Sequence, residues 1–159
     1  MYGTCTGGGW VADDSDLVRV DRALLRLRRM WDAPAGIEHE GALVEGSTLL
    51  VCLAVAEGRV TGEVGVVEVA GALGVTHSTA SRLVSRAVGA GMVRRAPSST
   101  DPRRASLSTT PAGDRLVSAS RDFRTGRLAA LLEGWTGRDV AALADLLTRF
   151  ADAVTAPRP

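Results

Sequence analysis

Two apolar-periodic segments with almost nothing between them constrain this chain more than any other feature. Val67–Gly74, VEVAGALG, and His77–Ala90, HSTASRLVSRAVGA, each repeat apolar residues at helical spacing. Only Val75 and Thr76 separate them. Gly74 suits the left-handed position that closes a helix, and Thr76 suits the N-cap of the next one. A short helix, a tight turn and a second helix make a helix-turn-helix.

The following segment decides which kind. Met92–Ala96, MVRRA, and Ala105–Thr109, ASLST, read as strands, and Ser98–Arg104, SSTDPRR, reads as the turn between them. A hairpin after a helix-turn-helix is a wing. Thr110-Pro111 then opens a long helix, with threonine as cap and proline at the first helical position, running to about Trp135. Thr136-Gly-Arg-Asp139 is a variant capping box. The last amphipathic helix carries Val140, Leu143, Ala144, Leu147, Phe150 and Val154.

On the N-terminal side, Leu17, Val20, Leu24, Leu27 and Trp31 predict a helix from about Ser15 to Asp32, ended by Asp-Ala-Pro-Ala-Gly36. A second helix is expected from His39 or Ser47 to Glu57, with Ser47 capping its second half and Gly58 stopping it. Val64–Val66 reads as a short strand. Residues 1–16, rich in small residues, read as a disordered leader. The fold class is therefore mainly α with a small β-hairpin wing. It is one domain over 17–159: N-terminal helices over 17–57, the winged helix-turn-helix over 58–109 and C-terminal helices over 110–156.

Composition narrows the function. All 19 basic side chains are arginine, and the net charge is only +1. Yet Thr76–Arg104 holds Arg82, Arg86, Arg94, Arg95, Arg103 and Arg104 against the single acid Asp101. A basic patch on a near-neutral protein is a footprint for an anionic partner. Cys5 and Cys52 fit neither a zinc spacing nor a disulfide framework, so no metal is expected. The longest apolar run, Leu49–Ala56, is too short to span a membrane, and no signal peptide is recognisable; a cytoplasmic protein without membrane contact is the expectation.

The helix after Thr76 carries the chemistry. On a helical wheel Ala80, Leu83, Val84, Ala87 and Val88 share one face, and Ser78, Ser81, Arg82 and Ser85 the opposite one. Small hydroxyls let a backbone approach base edges, and Arg82 has the fork to bond a guanine bidentately. The N–H groups at the helix start attract a phosphate oxygen. Most polar helix faces are merely solvated; the flanking arginine-rich hairpin shifts this one toward DNA. Thr76, His77, Ser78, Thr79, Ser81, Arg82, Ser85 and Arg86 on the helix are thus candidate DNA contacts, as are Arg94, Arg95, Arg103 and Arg104 on the wing. His77 has no nucleophile or metal-ligand set near it in sequence, so no catalytic site, enzyme activity or cofactor is expected.

The order of motifs resembles the MarR family (multiple-antibiotic-resistance regulators). It runs E-V-A-x-x-L-G-V at Glu68–Val75, S-R-L-V at Ser81–Val84, G-M-V-R-R at Gly91–Arg95, D-P-R-R at Asp101–Arg104 and T-x-x-G at Thr110–Gly113. Val67 stands where the family usually has a capping Ser or Thr. The resemblance implies a homodimer built from the terminal helices, with Leu17, Val20, Leu24, Val140, Leu143, Leu147 and Phe150 at its interface. It implies a short palindromic operator in double-stranded DNA, read by two recognition helices, and transcriptional regulation with repression as the default. It implies that Asp101 braces the wing through an arginine while Arg103 or Arg104 enters the minor groove. A small phenolic or lipophilic ligand is a further implication. Two other readings stand beside this one: a winged-helix protein-interaction module that does not bind DNA, and a redox sensor using Cys5.

Overall fold

The computed structural model describes residues 14–27, 36–60, 62–99 and 104–155. Helix α1 spans Asp14–Leu27, strands β1 and β2 span Gly36–His39 and Ala42–Glu45, and helix α2 spans Gly46–Gly58. Helices α3 (Val66–Leu73) and α4 (His77–Gly89) form the helix-turn-helix. Strands β3 (Val93–Pro97) and β4 (Ala105–Thr109) form the wing, and α5 (Pro111–Leu131) and α6 (Gly137–Thr155) complete the chain. Among the described residues no helix is long and apolar enough to cross a membrane.

The core forms where α2, α3, α4 and the start of α5 meet. Val51, Cys52, Val55, Val69, Ala80, Val84, Ala87, Leu107 and Leu116 are fully buried there. Helix α2 is apolar nearly all round because it lies at the centre of this packing. Cys52 is part of it, and burial, with Asp114 contributing, pushes its thiol up to about 11. It is a small core hydrophobe.

Three sequence signals acted as expected. Gly74 ends α3 with φ 63°, a conformation that costs a side-chain-bearing residue energy and glycine none. The Thr76 hydroxyl accepts the Thr79 N–H at 3.3 Å and caps α4. The Thr110 hydroxyl does the same for Gly113 at the start of α5, with Pro111 in the first turn.

Other expectations need correction. Residues 36–45 are not helical: β1 and β2 pair antiparallel from Gly36↔Glu45 to His39↔Ala42, around a two-residue turn in which Glu40 and Gly41 both have positive φ. That is the turn type that matches the twist of a tight hairpin. It leaves Val44 buried and Leu43 exposed, the alternation of a half-buried strand. The N-terminal region is therefore not purely helical. Helix α2 starts at Gly46, with Glu45 at the N-cap position but making no side-chain cap bond, and Ser47 sits in its first turn and donates its hydroxyl to Glu45. The expected strand at Val64–Val66 shrinks to a single bridge, Val64 to Leu107, because Val66 already begins α3. Helix α1 begins at Asp14, so the last three residues of the expected leader are helical. The rest of that leader, the end of the first helix beyond Leu27, Trp31 and Cys5 lie outside the described residues. Helix α5 ends at Leu131, which places Trp135 in the link to α6.

Candidate nucleic-acid interface

Helix α4 presents the surface that its sequence implies. Ala80, Val84 and Ala87 are buried, Leu83 and Val88 are half-buried, and His77, Ser78, Arg82, Ser85 and Arg86 are exposed. Ser81 lies half-buried at the margin of the exposed face. Thr79 is half-buried too. Its backbone N–H and hydroxyl are both engaged with Thr76, whose hydroxyl also lies 3.1 Å from that of Ser78. The front of α4 is thus a cluster of hydroxyls locked into the cap, with no carboxylate along the helix.

The wing packs beside this face. Strands β3 and β4 pair antiparallel from Val93↔Thr109 to Pro97↔Ala105. Val93 and Leu107 point into the core and fix the wing against the helices. Leu107 donates its N–H to the Val64 carbonyl at 2.7 Å, and Arg59 donates to the Leu107 carbonyl at 3.3 Å. Arg94 and Arg95 are both exposed. Arg95 donates to the Ser85 hydroxyl at 3.0 Å, joining the wing to the exposed face of α4. Ser85 itself donates to the Ser81 carbonyl one turn back. Arg94 donates across the hairpin to Ser108 at 2.8 Å. Both arginines are bonded to hydroxyls, and neither has a carboxylate partner among the described residues.

Among the described residues, two of the candidate arginines have carboxylate partners. Arg86 lies 3.4 Å from Glu45 at the end of β2. Arg104 lies 3.0 Å from Glu68 in the first turn of α3. Glu68 also accepts the Gly65 N–H at 2.7 Å, the side-chain half of a capping box; the N-cap of α3 is Gly65, and Val67, expected at the capping position, lies inside the helix. Burial raises the Glu68 carboxyl, but its own and the Gly65 backbone N–H groups, together with Arg104, outweigh this and hold it below the usual carboxylate range. Glu63 binds the far end of β3: Ser99 donates to it through N–H at 2.8 Å and hydroxyl at 2.6 Å, and the Ser98 hydroxyl bonds its other oxygen. Asp101 and Arg103 lie outside the described residues. Sequence reasoning missed Glu45, Glu63 and Glu68. Only Glu68 carried a signal, as a carboxylate in the first turn of a helix.

The terminal helices leave their apolar stripes uncovered within one chain. No residue of α1 is buried, and Leu17, Val20 and Leu24 are 42–49% exposed. Leu147 and Phe150 on α6 are 49% and 45% exposed, while Val140 and Leu143 are half-buried. Among the described residues no group of three His, Cys, Asp or Glu side chains could hold a metal ion.

A helix-turn-helix, a two-stranded wing and long flanking helices define a winged-helix protein. No protein-family model matches the sequence, and no curated protein matches it. Solved structures do. A MarR family protein from Bacillus stearothermophilus superposes with a TM-score of 0.63 at 18% identity, over 89% of this chain and 93% of that one. Streptococcus pneumoniae FabT in complex with DNA gives 0.62 at 14% identity, over 89% and 97%. Bordetella bronchiseptica BpsR, solved for the regulation of its DNA binding by 6-hydroxynicotinic acid, gives 0.55 at 18%, over 87% and 100%. The fold of this chain is that of the MarR-family winged-helix regulators.

Proposed function

We propose that this protein is a sequence-specific, DNA-binding transcription regulator that acts as a homodimer in the cytoplasm. One observation carries the reading: Arg95 bonds Ser85, so an arginine-bearing wing adjoins the hydroxyl- and arginine-bearing face of α4. Bases meet small groups at the centre of that surface, and phosphates meet Arg94 and Arg95 at its side. Arg103, at the wing tip by sequence, is the candidate for the flanking minor groove, with Asp101 as its brace. DNA bound to FabT, on the same fold, supports the reading.

The uncovered stripes of α1 and α6 are the surfaces through which two copies join. A dimer places two recognition helices about one DNA turn apart and calls for a near-palindromic site. Occlusion of a promoter is the mode we assign, with release by a small aromatic or lipophilic ligand, as 6-hydroxynicotinic acid regulates BpsR.

The test is a titration against DNA from the protein's own upstream region and against a scrambled duplex, at several salt concentrations, followed by selection from random sequence. Selective binding is expected, with log K falling by about 0.9 per log unit of salt for each phosphate neutralised. Equal, weak binding to every duplex in the selection would instead point to a protein-interaction module. Within the selected site, Arg82→Ala is expected to cost about 1–3 kcal/mol and to relax the preference at one base position. An Arg82→Ala protein that keeps full affinity and selectivity places the base-reading contact elsewhere on α4.

A further inference from the structure

Both feet of the wing-tip loop are fastened from one short segment. Ser98 and Ser99 at the end of β3 bond Glu63, and Arg104 at the start of β4 bonds Glu68. Between these two acids, Val64 bridges to Leu107 in the middle of β4. The Ser98 N–H donates to the Arg104 carbonyl at 3.0 Å, closing the loop where both feet are held.

From this arrangement we infer that Arg104 is a positioning residue, a strut that sets the pitch of the wing through Glu68, and that it does not itself touch DNA. This rests on the DNA-binding reading above and assigns the tip contact to the residues beyond the strut. The geometry supports it in three ways. The same Arg104 nitrogen lies 3.0 Å and 3.4 Å from the two Glu68 oxygens. Glu68 is already held by the Gly65 N–H, so little side-chain freedom is lost in forming the pair. A phosphate would have to displace this fixed carboxylate, whereas Arg82, Arg94 and Arg95 have no carboxylate partner among the described residues. The close fit at Gly65 agrees: a Cβ there would meet a Glu68 oxygen at 3.0 Å and the Ala105 carbonyl at 3.3 Å, so Gly65, the acid and the tip end of β4 lie against one another.

The test compares Glu68→Gln, which keeps an oxygen for the Gly65 N–H but removes the charge, with Arg104→Ala and with the double variant. In DNA-free protein, amide exchange at Ser98 and Leu107 reads the attachment of the wing. Each single variant is expected to raise it by about two- to fivefold, the range an exposed ion pair supplies, and the double variant by no more than either single one. Amides in the middle of α4 and α5 are expected to be unchanged. Unchanged wing exchange, or single effects that multiply in the double variant, would overturn the strut. On DNA, Arg104→Ala is expected to weaken binding without altering the salt slope. A fall of about 0.9 in that slope would show a direct phosphate contact and overturn the inference. Absence of DNA binding by the wild type would instead defeat the function proposed above, and the exchange measurement would still decide whether Arg104 is a strut.

Discussion

Gly113→Ala is expected to lower the stability of this protein by about 3 kcal/mol, through overpacking against backbone that has little room to yield. A Cβ at Gly113 would lie 2.1 Å from the Met92 carbonyl oxygen and 3.1 Å from its carbon. That same oxygen accepts the Thr110 N–H at 3.0 Å, and the Thr110 hydroxyl donates to the Gly91 carbonyl at 2.6 Å. Relief of the clash requires the first turn of α5 to move off the root of the wing, which breaks both bonds. Urea unfolding measures the loss as a drop in midpoint at constant slope. Gly71→Ala is the comparison, since a Cβ at that exposed position in α3 meets nothing within 4 Å. It is expected to stabilise by about 0.5–1 kcal/mol. Equal midpoints for the two variants would show that the junction of wing and α5 is looser than its geometry states.

The second large effect concerns association. Phe150→Asp places a carboxylate in the apolar stripe of α6, where Leu147 and Phe150 are about half exposed in the single chain. In a dimer that buries this stripe, an unpaired charge at the centre of the interface opposes association. Sedimentation is expected to show the mass of one chain in place of two. Affinity for a two-half-site operator is expected to fall by at least about 100-fold, because the second half-site no longer binds as part of one particle. Arg149→Ala, on the opposite face of α6, is expected to leave both readouts unchanged. A wild type that sediments as a monomer while binding a palindrome tightly would remove the dimer from the proposal.

How much of this was legible in the sequence varies with the range of the interactions. The helix-turn-helix, the wing and the start of α5 rest on local chemistry: glycine at a left-handed position, threonine caps, and proline in a first turn. These act within four residues, so they can be read directly. The hairpin at 36–45 was also signalled locally, by Glu40-Gly41 between alternating residues, but the apolar run that follows looked like a longer helix and hid it. The candidate face of α4 followed from helical periodicity. The partners of its flanking arginines did not. Glu45 and Arg86 are 41 positions apart, and Glu68 and Arg104 are 36 apart. No local pattern marks which of several arginines meets a carboxylate, because the packing of α4 on α2 and of Gly65 against the start of β4 makes that choice.

The two ion pairs also redraw the protein's electric field. Counted along the chain, the segment from Thr76 to Arg104 carries six arginines against one acid. In the folded molecule, Glu45 and Glu68 cancel the charge at Arg86 and Arg104, while Arg82, Arg94 and Arg95 keep theirs. Among the described residues of this segment, the positive charge without a carboxylate partner therefore lies in a stripe along α4 and the root of β3. Charge concentrated in this way orients an approaching polyanion before any contact forms, over the roughly 8–10 Å that physiological salt leaves unscreened. Encounters would then begin with the duplex already aligned to the recognition helix, so that the acids beside the site, which lower the total charge, sharpen the direction of capture.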